Sequence, residues 1–135
     1  SLYLLVKFCI IKLSRSLSFV NHPVSDLYIY DLMEVLMAEK YNGKAVGVFE
    51  LDNLVACFVA LDAASKAANV QIQGVERNRL KSGACVKMRG SVSDVNAAME
   101  VALRVAAPLA KIVNHTVIAS PTGDTEVALA MTINK

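Results

Sequence analysis

The chain has 135 residues, 55% of them hydrophobic and 19% charged, with a formal net charge of +2. That length suits one domain with a core of its own, and the charge bias is too small to point to nucleic acid. An apolar fraction this high reads either as an Ala-rich core or as surface hidden in subunit contacts, and composition leaves both open.

The first 40 residues show no sustained periodicity. Residues 2–13 are strongly apolar, but Lys7 and Lys12 interrupt them, and the stretch is too short to span a membrane. A secretory signal would place positive charge ahead of the apolar run and a small-residue cleavage site behind it, and neither pattern is present. Ser14, Ser16, Ser18, Asn21, Pro23 and Ser25 break any periodicity beyond it. A short helix is expected over residues 31–40.

From Ala45 the pattern is orderly. Residues 45–50 (AVGVFE) read as a strand. Asp52 or Asn53 can cap a helix over residues 53–67, where Leu54, Phe58, Leu61 and Ser65 recur at helical spacing and five alanines between 60 and 68 thin one face. Residues 70–76 alternate, with Val70, Ile72 and Gly74 on one side, as in a half-buried strand. Residues 77–83 (RNRLKSG) are polar and end in Ser-Gly, a loop signal. In residues 84–89, Val86 and Met88 share one face while Cys85, Lys87 and Arg89 share the other.

Ser91 or Ser93 can cap a second helix over residues 94–107, whose stripe is Val95, Met99 and Leu103, and Pro108 marks its end. Residues 114–120 form a last strand stopped by Pro121, and residues 124–131 a short terminal helix. The order is strand, helix, strand, strand, helix, strand: an α+β, ferredoxin-like βαββαβ arrangement. It closes into one antiparallel sheet with both helices on one face and leaves the other face to be covered or wetted.

Signs of chemistry are sparse. Cys9, Cys57 and Cys85 are odd in number and far apart, which fits small core residues in a reducing compartment. His22 and His115 lack acidic partners at ligand spacing, so no metal site and no cofactor is expected. Ser82 has no base placed to activate it. The Glu50–Asp52 pair sits where a turn or cap is needed. Lys81-Ser82-Gly83 lacks the earlier glycine of a phosphate loop and opens a strand, not a helix. An enzyme is not expected.

A set of ordered markers resembles the bacterial microcompartment (BMC) shell domain. They are residues 45–50 (AVGVFE), the run Leu61-Asp62-Ala63-Ala64-Ser65-Lys66-Ala67-Ala68-Asn69-Val70, then Gly74-Val75-Glu76, Ser82-Gly83, Arg89-Gly90 and Val95 with Ala97-Ala98. Together they cover about residues 44–130. The resemblance implies a domain over residues 41–135, preceded by an N-terminal extension over residues 1–40. It implies a non-catalytic tile of the single-domain hexameric type. Homohexamers would join other shell proteins around encapsulated enzymes, in a microcompartment within the cytoplasm, with no nucleic acid or membrane partner.

In that family the loop between the second and third strands lines the pore, which here implies Asn78, Arg79, Leu80, Lys81, Ser82 and Gly83. The family's edge contacts imply Lys66, Asn69 and Ser120 between hexamers. Six-fold repetition turns one cationic side chain into a ring of charge that selects solutes by sign, so Arg77, Arg79 and Lys81 would favour small polar or anionic metabolites. The chain departs from the family in a loop about one residue longer than usual, without a Gly-Ser-Gly tip, and in Ala119-Ser120-Pro121-Thr122, which lacks the usual arginine. Residues 1–36 have no family counterpart, and Met37-Ala38-Glu39-Lys40 resembles a natural start. They are either an overlong leader or an extension that binds cargo or covers a tile face. The alternative reading is a ferredoxin-like regulatory module that binds an anionic metabolite or nucleotide through Arg77, Arg79 and Lys81.

Overall fold

The computed structural model describes residues 40–78 and 82–132, together with Leu36. Apart from positions 36 and 40, which are helical, the helix expected over residues 31–40 lies outside the described residues, as does the rest of the extension. Seven elements are described: β1 Ala45–Leu51, α1 Leu54–Ala67, β2 Gln71–Arg77, β3 Ala84–Gly90, α2 Val92–Ala106, β4 Ile112–Ile118 and α3 Gly123–Met131. The strands form one sheet in the order β2-β3-β1-β4, with every neighbouring pair antiparallel. This is the expected βαββαβ arrangement with a terminal helix.

Alternation along the central strands builds the core. Ala45, Phe49 and Leu51 of β1 and Ala84, Val86 and Met88 of β3 face α1 and α2, where they meet Ala56, Cys57, Ala60, Ala64, Val95, Ala98, Met99, Ala102 and Ala106. Alanines on the helix faces let both helices sit low on the sheet. The approach is closest at Gly47, where a Cβ would lie 2.7 Å from Val95 Cγ1 and 2.9 Å from Met88 Cε. A side chain there would lift α2 off β1.

Local hydrogen bonds start the helices where the sequence predicts. Asn53 Oδ1 accepts from the amides of Val55 at 2.8 Å and Ala56 at 3.1 Å. Ser91 Oγ accepts from the Asp94 amide at 3.1 Å and donates to Asp94 Oδ2 at 2.6 Å. Each satisfies amide donors that the first helical turn leaves open.

Several details differ from the sequence reading: α1 buries Ala56, Cys57, Ala60 and Ala64 and leaves Phe58, part of the expected recurrence, exposed, and α2 starts two residues earlier than expected, at Val92. β4 runs two residues earlier than expected, over Ile112–Ile118. Its entry is clamped: the Lys111 amide donates to Asp52 Oδ1 at 2.9 Å, and the Asp52 amide donates to the Lys111 carbonyl at 3.2 Å. Its ladder ends where Ile118 pairs with Val46, near the start of β1, so the partner strand sets that end before Pro121 is reached. In β2 the register slips between Ile72 and Gly74. The extra residue, Gln73, breaks simple alternation, so Ile72 and Val75, not Ile72 and Gly74, pack toward the core.

The sheet face away from α1 and α2 is partly covered by Tyr41 and α3. On the opposite side, α1 keeps Val55, Phe58 and Val59 at 70%, 52% and 43% exposure. The outer strand β4 also leaves Val113 half exposed.

Candidate functional site

The β2–β3 connection leaves the sheet at the end where Leu51 pairs with Ala84. Both of its described flanks are pinned to the β1–α1 turn. The Asn78 amide donates to the Gly83 carbonyl at 3.1 Å, which closes the base of the loop. Asn78 Nδ2 donates to Glu50 Oε1 at 2.6 Å. The Leu54 amide donates to the Ser82 carbonyl at 2.8 Å, and Ser82 Oγ donates to the Asp52 carbonyl at 3.2 Å.

Gly83 is buried against that turn. A Cβ there would collide with the Leu51 carbonyl oxygen and lie 2.8 Å from Asp52 Cα, both backbone atoms. The loop base therefore has a set height above the sheet. Glu50 and Asp52, which the sequence reading assigns to a turn, are the groups that hold it. Arg79, Leu80 and Lys81 lie outside the described residues. Arg77 ends β2 and is exposed.

Lys66, Asn69 and Ser120 lie at the other end of the sheet, where Val46 pairs with Ile118 and Gln71 with Arg89. All three are exposed, but they belong to different corners. Lys66 is in the last turn of α1, Asn69 follows that helix, and Ser120 follows β4. Lys66 Nζ bonds Asp62 Oδ2 one turn back at 2.5 Å, a pairing of two exposed groups that holds little stability. The Asn69 amide donates to Asp94 Oδ1 at 3.4 Å, which ties the end of α1 to the start of α2.

The sheet's second face carries a polar cluster that the sequence reading did not anticipate. Arg89 is fully buried. Its Nη1 and Nη2 reach Glu126 Oε1 at 2.8 Å and Oε2 at 2.5 Å, and its Nε donates to Gln73 Oε1 at 2.6 Å. The Tyr41 ring centroid lies 4.8 Å from the guanidinium carbon. Beside it, Lys87 Nζ bonds Glu76 Oε1 at 2.5 Å, the Leu129 carbonyl at 3.1 Å and Thr132 Oγ1 at 2.5 Å. The shared side of Cys85, Lys87 and Arg89 was the available signal. Alternation does not reveal that Glu126, far along the chain, closes over them.

The described cysteines are held as thiols. Cys57 is buried, and burial pushes its thiol pKa up. Cys85 is half-buried, and burial followed by the neighbouring Glu76 carboxylate pushes its thiol up to about 11; both are poor nucleophiles. Cys9 and His22 lie outside the described residues, and His115 is exposed on β4. Among the described residues no group of three or more His, Cys, Asp or Glu side chains is placed to hold a metal ion. None of their helices is long and apolar enough to cross a membrane.

Comparison with known proteins gives a consistent picture. Residues 45–121 match the family profile of the BMC domain. The chain is 37% identical over 84 residues to the bacterial microcompartment shell protein EutM of Salmonella typhimurium, a match covering 62% of this chain and 85% of that protein. The EutM protein of Escherichia coli K12 matches at the same identity, over 84% of its length. A crystal structure of a microcompartment protein from Desulfitobacterium hafniense superposes with a TM-score of 0.57 at 18% identity, covering 66% of this chain. At that identity the likeness concerns the fold, and the chain spans only 48% of that longer protein.

Proposed function

The chain belongs to the BMC domain family of bacterial microcompartment shell proteins, and from that membership we propose that its copies close into hexameric rings that tile a shell and carry solutes through a central pore. The role is structural, in the wall of a microcompartment within the cytoplasm. Other shell proteins are its neighbours in that wall, and encapsulated enzymes lie behind it.

The observation that carries this reading is where apolar surface is left over. The core is complete without Val55, Phe58 and Val59, yet these side chains stand on one face of α1 at 43% to 70% exposure. The outer edge of β4 is also unpaired among the described strands. Apolar side chains and an open strand edge are what a neighbouring copy would cover. The pinned base of the loop from Asn78 to Gly83 supports a pore role in the same ring. Repetition about an axis multiplies any small displacement of the loop, so a pore of defined width needs a loop whose base cannot shift. Arg77, Arg79 and Lys81 would then surround the opening with positive charge and favour small polar or anionic metabolites.

In this reading Lys66, Asn69 and Ser120 meet adjoining rings, which their exposure at the opposite end of the sheet from the loop supports. The test is native mass measurement and negative-stain imaging of the full chain beside Lys66→Ala. We expect hexamers in both and extended sheets only with Lys66 present. A strictly monomeric full chain would overturn the ring. Sheets that persist in Lys66→Ala would remove Lys66 from the edge.

A further inference from the structure

We infer that α3 is a detachable cover, latched to the second face of the sheet by a carboxylate cradle built around Arg89. The inference does not depend on ring formation. It rests on what holds α3 in place. A terminal helix normally docks through an apolar stripe. Here the buried residues of α3 are Glu126 and Ala130, while Val127 and Met131 remain 43% and 47% exposed. The described bonds that tie α3 to the sheet are polar: the Arg89–Glu126 fork, and Lys87 with the Leu129 carbonyl and Thr132. Thr132 Oγ1 also donates to Glu76 Oε1 at 2.8 Å.

The cradle is preorganised without the helix. Gln73 holds Nε of Arg89 and Tyr41 lies against the guanidinium plane, so both terminal nitrogens point at one planar carboxylate. Glu126 occupies it. The extra residue in β2 is what brings Gln73 to this position. The main hydrophobic cluster lies between the sheet and the α1–α2 pair and includes no residue of α3; Tyr41, Val46 and Ala130 are buried outside it. Releasing the latch leaves Arg89 without its carboxylate partner on the sheet face, while Lys87 keeps the Glu76 carboxylate of β2. A face that is capped when latched presents one guanidinium without a carboxylate, that of Arg89, when released.

The experiment is amide hydrogen exchange, resolved by residue, on the full chain and on Glu126→Gln. Replacing the carboxylate keeps its size and removes its charge from the Arg89 fork. We expect the amides of residues 127–131 to exchange at least tenfold faster in E126Q, while those of β1, β3 and α2 keep their native rates. Acylation of the Lys87 amine by a small reagent should rise in parallel. Unchanged rates in residues 127–131 would show that the fork holds nothing. Equal acceleration in α3 and the core would show that the helix is part of one cooperative unit. Should the variant fail to fold, the unaltered chain in rising denaturant decides. An opening of α3 ahead of β3 supports the latch, and a single shared opening overturns it.

Discussion

Cys85 shows how the sheet's second face controls its side chains. Its thiol sits beside Glu76 in a half-buried site, and loss of hydration is the larger cause of a pKa pushed up to about 11. The folded value lies above the ordinary one of 9.0, so the fold favours the protonated thiol. That contribution is complete below about pH 9, falls as pH rises and is gone above about pH 11. Peptide-resolved alkylation at pH 8 should find Cys85 about 100-fold slower than a small free thiol, the ratio of thiolate fractions for groups titrating at about 11 and at 9.0. Alkylation of the folded chain at the free-thiol rate would contradict the buried site. Cysteine count and spacing predicted inert residues, which agrees with both described thiols. Spacing could not say that Cys57 lies in the core while Cys85 lies between charged groups on the far face, because that depends on which strands are paired.

Elements were legible wherever their signal is local. The first helix shows in fifteen residues without glycine or proline, and its cap in Asn53. The second helix shows in its apolar stripe and in Ser91 or Ser93 as its cap; Ser91 is the one that caps it, accepting from the Asp94 amide. Replacing Ser91 with Ala should cost about 1 kcal/mol of stability, seen as a lower denaturant midpoint with an unchanged slope. No change in midpoint would mean that solvent caps the helix equally well. The misplaced bounds of β4 have a different origin. They stem from the Asp52–Lys111 clamp, whose partners are 59 positions apart in the chain, and no window of local sequence contains both. The bulge in β2 is hidden for a similar reason: it shows only when Gln73 is set against β3 and found without a partner opposite.

For the whole molecule, the order of elements was enough to give the sheet, its antiparallel pairing and the placement of both helices. The cover on the second face was not foreseen, because Arg89 and Glu126 are joined by charge, with no shared hydrophobic period to reveal them. The candidate site divides in the same way. Its residues are proposed from family markers, whereas the struts that fix the loop, Glu50 and Asp52, become visible only when the β1–α1 turn meets the hairpin connection. Those struts hold the loop at one end of the sheet, and Lys66, Asn69 and Ser120 lie at the other. The most direct measurement is a cryo-electron microscopy reconstruction of the assembled full chain that resolves the hairpin connection. The account predicts a six-membered ring with Asn78, Ser82 and Gly83 bordering the axis and Lys66 at the perimeter. A ring with that connection on its outer rim would contradict it.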